Sequence, residues 1–172
     1  MISSTLMRQV GTAMIGAIAS TFAIQSSLAQ NRTTTDFELM MTIQESLSQA
    51  AGCTGIAVTF KGAGLSPQLG VVDGEGSHCA TPDSQGNISA PEGTMTLKTA
   101  AGDEMRVRFA FHLTPTATPP VYQIWGTYQI DSATGRYVNA SGRGLVYGLE
   151  QVNLAQGQSG PLILHAKGTL SY

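Results

Sequence analysis

Asp73, Glu75 and His78 fall within seven residues, in the run Asp73-Gly74-Glu75-Gly76-Ser77-His78-Cys79. Two carboxylates and an imidazole can hold a divalent metal ion or share proton transfer, because histidine titrates near neutrality and a carboxylate beside it raises its pKa. The interleaved glycines read equally as a solvated turn, and three ligands from one short loop seldom complete a metal site. A second set, Arg106, Arg108, His112 and His165, lies on the polar side of alternating segments. Turned inward, these four would give a barrel a polar lumen; turned outward, they meet water. Trp125, with Tyr122, Tyr128, Tyr137 and Tyr147, can line a ligand pocket or fill a core.

No other chemistry is signalled. The chain has no G-x-S-x-G, no H-E-x-x-H, no phosphate-binding glycine loop and no C-x-x-C, so the common hydrolase, metalloprotease, nucleotide and redox readings lack their reactive groups and no cofactor is expected. The formal charge of −2 is spread without a basic cluster, which gives no pull toward nucleic acid or an anionic membrane.

The only cysteines are Cys53 and Cys79. Residues 1–29 resemble a signal peptide: Arg8 is the lone charge, Val10 to Ile24 is largely apolar, and Ser27-Leu28-Ala29 offers small residues for cleavage before Gln30. The apolar run is too short and too rich in Gly, Ser and Thr to span a bilayer, so no membrane span is expected in the mature chain. The expected compartment is periplasmic or extracellular, where the two thiols join. Closing that loop would stabilise the fold by about 3 kcal/mol. Residues 30–172 are a normal length for one domain.

These side chains must be positioned by strands. From Asp36 to Ile43, Phe37, Leu39, Met41 and Ile43 alternate with polar residues and Met40, the period of a strand with one buried face. Glu45 to Ala51 reads as a connector. Gly55 to Phe60 and Leu69 to Val72 read as short strands, separated by Gly62, Gly64 and Pro67, and Thr81 to Pro91 has a loop composition. Gly93 to Thr99 and Glu104 to Leu113 alternate around the turn Ala100-Ala101-Gly102-Asp103, an antiparallel hairpin. Pro115 to Pro120 breaks the chain. Trp125 to Ile130 then predicts a strand, Asp131 to Gly135 a reversal with Gly135 at positive φ, and Arg136 to Ala140 a returning strand. Gly142 and Gly144 allow a bulge or a close backbone approach. Leu145 to Leu154 and Leu162 to Tyr172 complete some eight or nine short strands, an all-β barrel or sandwich.

Several of these segments recur together elsewhere. Gly126-Thr127-Tyr128-Gln129-Ile130, Thr134-Gly135-Arg136-Tyr137 and Ala140-Ser141-Gly142, preceded by Gly76-Ser77-His78-Cys79 and Leu97-Lys98-Thr99-Ala100-Ala101-Gly102-Asp103, resemble the pattern of small secreted bacterial β-barrels related to allene oxide cyclase and dirigent barrels. Tyr137 stands where that pattern has Phe, and Asn139 where it has Gly or Ala. The resemblance covers Gly55 to Tyr172 and implies an antiparallel barrel of about eight strands. It implies no established activity, and no catalytic residues carry over.

Three functions follow as alternatives. The leading one is an exported non-catalytic barrel binding a small, partly apolar ligand or an envelope partner; the others are an isomerase- or cyclase-like enzyme at a barrel mouth and a purely structural module. Fold alone does not choose among them. A cavity with convergent polar groups favours ligand or enzyme, and a lumen packed shut favours the structural module.

Overall fold

The computed structural model describes residues 32–153 and 158–172; the leader expected over residues 1–29 lies outside them. Eight strands follow one another around a closed antiparallel barrel: β1 (Thr34–Ser48), β2 (Ile56–Ser66), β3 (Gly70–Pro82), β4 (Ile88–Thr99), β5 (Glu104–Pro115), β6 (Val121–Ala133), β7 (Ser141–Asn153) and β8 (Gln158–Ser171). β1 closes the ring against β8, from Thr34↔Ser171 to Ile43↔Leu162. Among the described residues no helix is long and apolar enough to cross a membrane.

Closure fixes which face of each strand is inside. In β5, Met105, Val107, Phe111 and Leu113 are buried while Arg106, Arg108 and His112 are exposed, so the apolar set fills the lumen. An eight-stranded barrel leaves an interior just wide enough for side chains. Large residues therefore need small ones opposite. A Cβ on Gly74 would stand 2.5 Å from Met41 Cε, and one on Gly93 would fall within the ring of Phe109.

This pairing of large with small explains several departures from the sequence reading. Gly62 and Gly64 do not interrupt β2 but lie inside it, and Glu45 to Ser48 continues β1. Asp73 to Cys79 is not a loop. It is the middle of β3, paired on both sides from Asp73↔Ala63 and Asp73↔Lys98 onward. Glycines that read as turn signals are inward positions that a narrow lumen keeps small.

The strands expected at Trp125 and beyond form a hairpin, but its second arm begins later. Arg136 to Ala140 is not extended: a 3-10 turn occupies Gly135–Tyr137 and β7 starts at Ser141. Gly135 has the expected positive φ, 59°, and Asn139 shares it at 66°. The turn folds Tyr137 under one end of the barrel. There its hydroxyl donates to the Gln68 carbonyl at 2.7 Å, and its ring meets Tyr172 edge-on at 5.3 Å. At the opposite end, Cys53 and Cys79 are joined, tying the β1–β2 connection to β3.

Candidate functional site

The lumen has an apolar middle and a polar group toward the disulfide end. Along β1, Phe37, Leu39, Met41 and Ile43 point inward, and so do Glu45 and Leu47. Along β7 the inward series is Val146, Gly148, Glu150 and Val152. Strand alternation thus carries two carboxyls into a hydrocarbon interior. Glu45 and Glu150 border one cavity there, close enough to influence each other's titration, and Ser159 on β8 donates its hydroxyl to Glu150 Oε1 at 2.7 Å. Burial, and then the neighbouring Glu150, push the Glu45 carboxyl up to about 8; burial likewise raises Glu150. Both shifts are upward because two adjacent buried carboxylates repel and are poorly solvated.

His78 enters from β3. It sits among three phenylalanines, with centroids 6.1 Å from Phe60, 5.8 Å from Phe109 and 5.0 Å from Phe111. Burial lowers its pKa to about 4, so the ring is neutral. Its Nδ1 is buried and has no partner among the described residues; neither does the hydroxyl of Tyr128, whose pKa burial raises to about 12.

Two cavities adjoin in this interior. The larger, of about 40 Å³, runs from Phe37 and Tyr128 to Glu45 and His78. The smaller, of about 20 Å³, is bounded by Glu45, Glu150, Ser159, His78 and Phe111 under a lid of Leu47, Ile56, Ile88, Leu113 and Val152. Glu45, His78 and Phe111 border both. The lumen is mostly packed, yet it retains space where polar groups converge.

The residues expected from sequence fall elsewhere. Asp73 and Glu75 are exposed on the outer wall while His78 points inward, so the three cannot share an ion; successive side chains of a strand take opposite faces. Among the described residues no group of three His, Cys, Asp or Glu is placed to hold a metal. Arg106, Arg108, His112, Trp125 and His165 all lie on the outer wall, not in the lumen. Arg108 Nε donates to Asp131 Oδ2 at 2.6 Å, and His112 Nδ1 meets Ser89 Oγ at 3.0 Å.

Trp125 and His165 are nevertheless brought into one row. The register runs Trp125↔Tyr147, Tyr147↔His165, His165↔Met40 and Met40↔Leu65. Tyr147 stacks on His165 at 5.3 Å and lies 6.2 Å from Trp125. Trp125, Met40 and Leu65 remain 55%, 51% and 57% exposed.

Glu45 and Glu150 were missed by sequence reasoning, although a signal exists. Each is an acidic residue on the apolar register of a strand, in phase with Ile43 and with Val152. No family model matches this chain, and no curated protein does. Among solved structures it is similar to a pterocarpan synthase dirigent protein, at 12% identity over 98% of this chain and 99% of that one, with a TM-score of 0.44.

Proposed function

We propose that the protein is an exported, non-catalytic barrel that holds one small, mostly apolar ligand in its lumen. One observation carries this reading: His78 Nδ1 and the Tyr128 hydroxyl are buried, lack partners among the described residues, and border a cavity walled, apart from Glu45, by hydrocarbon. A buried polar group without a partner costs about 1–3 kcal/mol, and a ligand with one or two polar atoms would recover that. Ligand sites generally combine apolar walls with a few placed polar groups. At about 40 Å³ the larger cavity is smaller than the roughly 150 Å³ void that takes up benzene, so a ligand of that size enters only as the lining side chains shift. The disulfide at one end supports an oxidising compartment.

Toluene tests the reading. It should raise the melting temperature in a saturable way and give a one-to-one adduct in native mass spectrometry. Ala166→Leu, which fills the lumen wall, should abolish both effects, while the outer-wall change Trp125→Glu should leave them. Saturable binding unaffected by Ala166→Leu, or no binding at all, would overturn the proposal.

A second reading, docking of an envelope partner, rests on the exposed row Trp125, Tyr147, His165, Met40 and Leu65. Isolated exposed apolar residues are ordinary, but a contiguous row is characteristic of a contact surface. Trp125 is the sole tryptophan, so its fluorescence reports on this surface alone. A blue shift in the presence of envelope fractions, lost in Met40→Glu, would favour this reading over the lumen.

A further inference from the structure

Among the described residues, the carboxyl pair at the disulfide end has no basic partner. No Lys or Arg borders either cavity, and the groups facing Glu45 and Glu150 there are Ser159, a hydroxyl, and His78, a neutral imidazole. Burial without a cation raises the pKa of both carboxyls, and a buried carboxylate is costly unless a cation pairs with it. What is missing is a positive charge. Beside it stand Phe60, Phe109 and Phe111, with Phe109 and Phe111 stacked 5.3 Å apart, and aromatic faces attract desolvated ammonium groups.

We infer that the lumen selects a small amphiphilic amine, its ammonium seated between the Glu45–Glu150 pair and Phe111 and its hydrocarbon in the larger cavity. The inference rests on the lumen-binding reading and adds the charge class of the ligand. His78 Nδ1 is a buried atom without a partner among the described residues, on the border of both cavities. With its lone pair free, it accepts one N–H of the ammonium. The carboxyls and the serine hydroxyl supply the remaining acceptors. A primary amine sets a cation against the carboxyl pair, and a carboxylic acid does not, because its charge would repel the pair.

The test compares benzylamine with its neutral isostere benzyl alcohol, with toluene as the uncharged reference, by isothermal titration on the full oxidised protein. At pH 7 benzylamine should bind at least about tenfold more tightly than benzyl alcohol, a difference consistent with one desolvated ion pair and an aromatic contact. The double variant Glu45→Gln, Glu150→Gln should bring the ratio to about one while toluene binding persists, which shows that the barrel still folds. Equal binding of benzylamine and benzyl alcohol, with toluene still bound, overturns the amine inference and leaves the lumen reading standing. Failure of all three to bind overturns both. Preferential amine binding that survives the double variant overturns the assignment to this pair.

Discussion

The imidazole of His78 stands edge-on to the ring of Phe111, their centroids 5.0 Å apart and their planes at 75°. Phe109 meets the same imidazole at the same angle from 5.8 Å. Neither ring offers a hydrogen-bond acceptor strong enough to support an imidazolium, and burial holds the pKa of His78 near 4.

The contribution of His78 to stability should therefore fall as the pH drops from 6.5 to 4, against an opposite contribution from Glu45 above pH 4.5. In that window the unfolded chain binds a proton at His78 that the native state refuses, so this contribution rises with pH. The shift from 6.5 to about 4 corresponds to about 3 kcal/mol at its fullest. His78→Leu should remove this part of the pH dependence, measured as urea unfolding at pH 4.5 and 7. Asp73→Ala, on the exposed face of the same strand, should change stability by less than about 0.5 kcal/mol at either pH.

Glu45 acts with the opposite sign. Its pKa is raised from 4.5 to about 8 in the fold, so the native state holds a proton that the unfolded chain releases. Stability from this group is complete below pH 4.5 and is lost as the pH rises toward 8. The parent should lose stability between pH 6.5 and 8, where His78 no longer titrates. Glu45→Gln should flatten that decline in a thermal unfolding series.

Breaking the Cys53–Cys79 bond, which spans a sequence separation of 26, should cost about 3 kcal/mol through freedom regained by the unfolded chain. Comparing Cys53→Ala, Cys79→Ala with the parent by chemical denaturation measures it. The oxidised protein should also be two hydrogens lighter than the reduced form by intact mass. Free thiols that alkylate quantitatively under denaturing conditions would contradict the structure.

Gly135 and Gly142 should resist substitution for different reasons. Gly135 has φ 59° and faces the Asp103 carboxylate, which also takes Arg136 Nε at 2.9 Å. A Cβ on Gly142 would meet the Thr169 carbonyl oxygen of β8 and stand 3.0 Å from Ile130 Cδ1. Gly135→Val and Gly142→Val should each cost about 1 kcal/mol or more. Thr127→Ala, on the exposed face of β6, should cost less. Equal stability of all three variants in guanidinium would contradict both assignments.

Alternation in the sequence determined the all-β class, because a period of two, as in Met105, Val107, Phe109, Phe111 and Leu113, commits a segment to a strand with one buried face. The hairpin turn at Gly102, φ 88°, and the one at Gly135 were legible for the same local reason, since their backbone needs no distant partner to explain it. Distance along the chain hid the rest. Gly62, Gly64, Gly74 and Gly76 read as breaks because the side chains that require them small belong to other strands, such as Met41 against Gly74 and Phe60 against Gly76. Which face is the lumen was likewise undecided until β1 met β8, and that closure sent Arg106, Arg108, His112, Trp125 and His165 outward and His78 inward. Glu45 and Glu150 lie 105 residues apart in number (150 − 45). Only the closed barrel brings them to one cavity, and burial there, not residue type, raises both carboxyls.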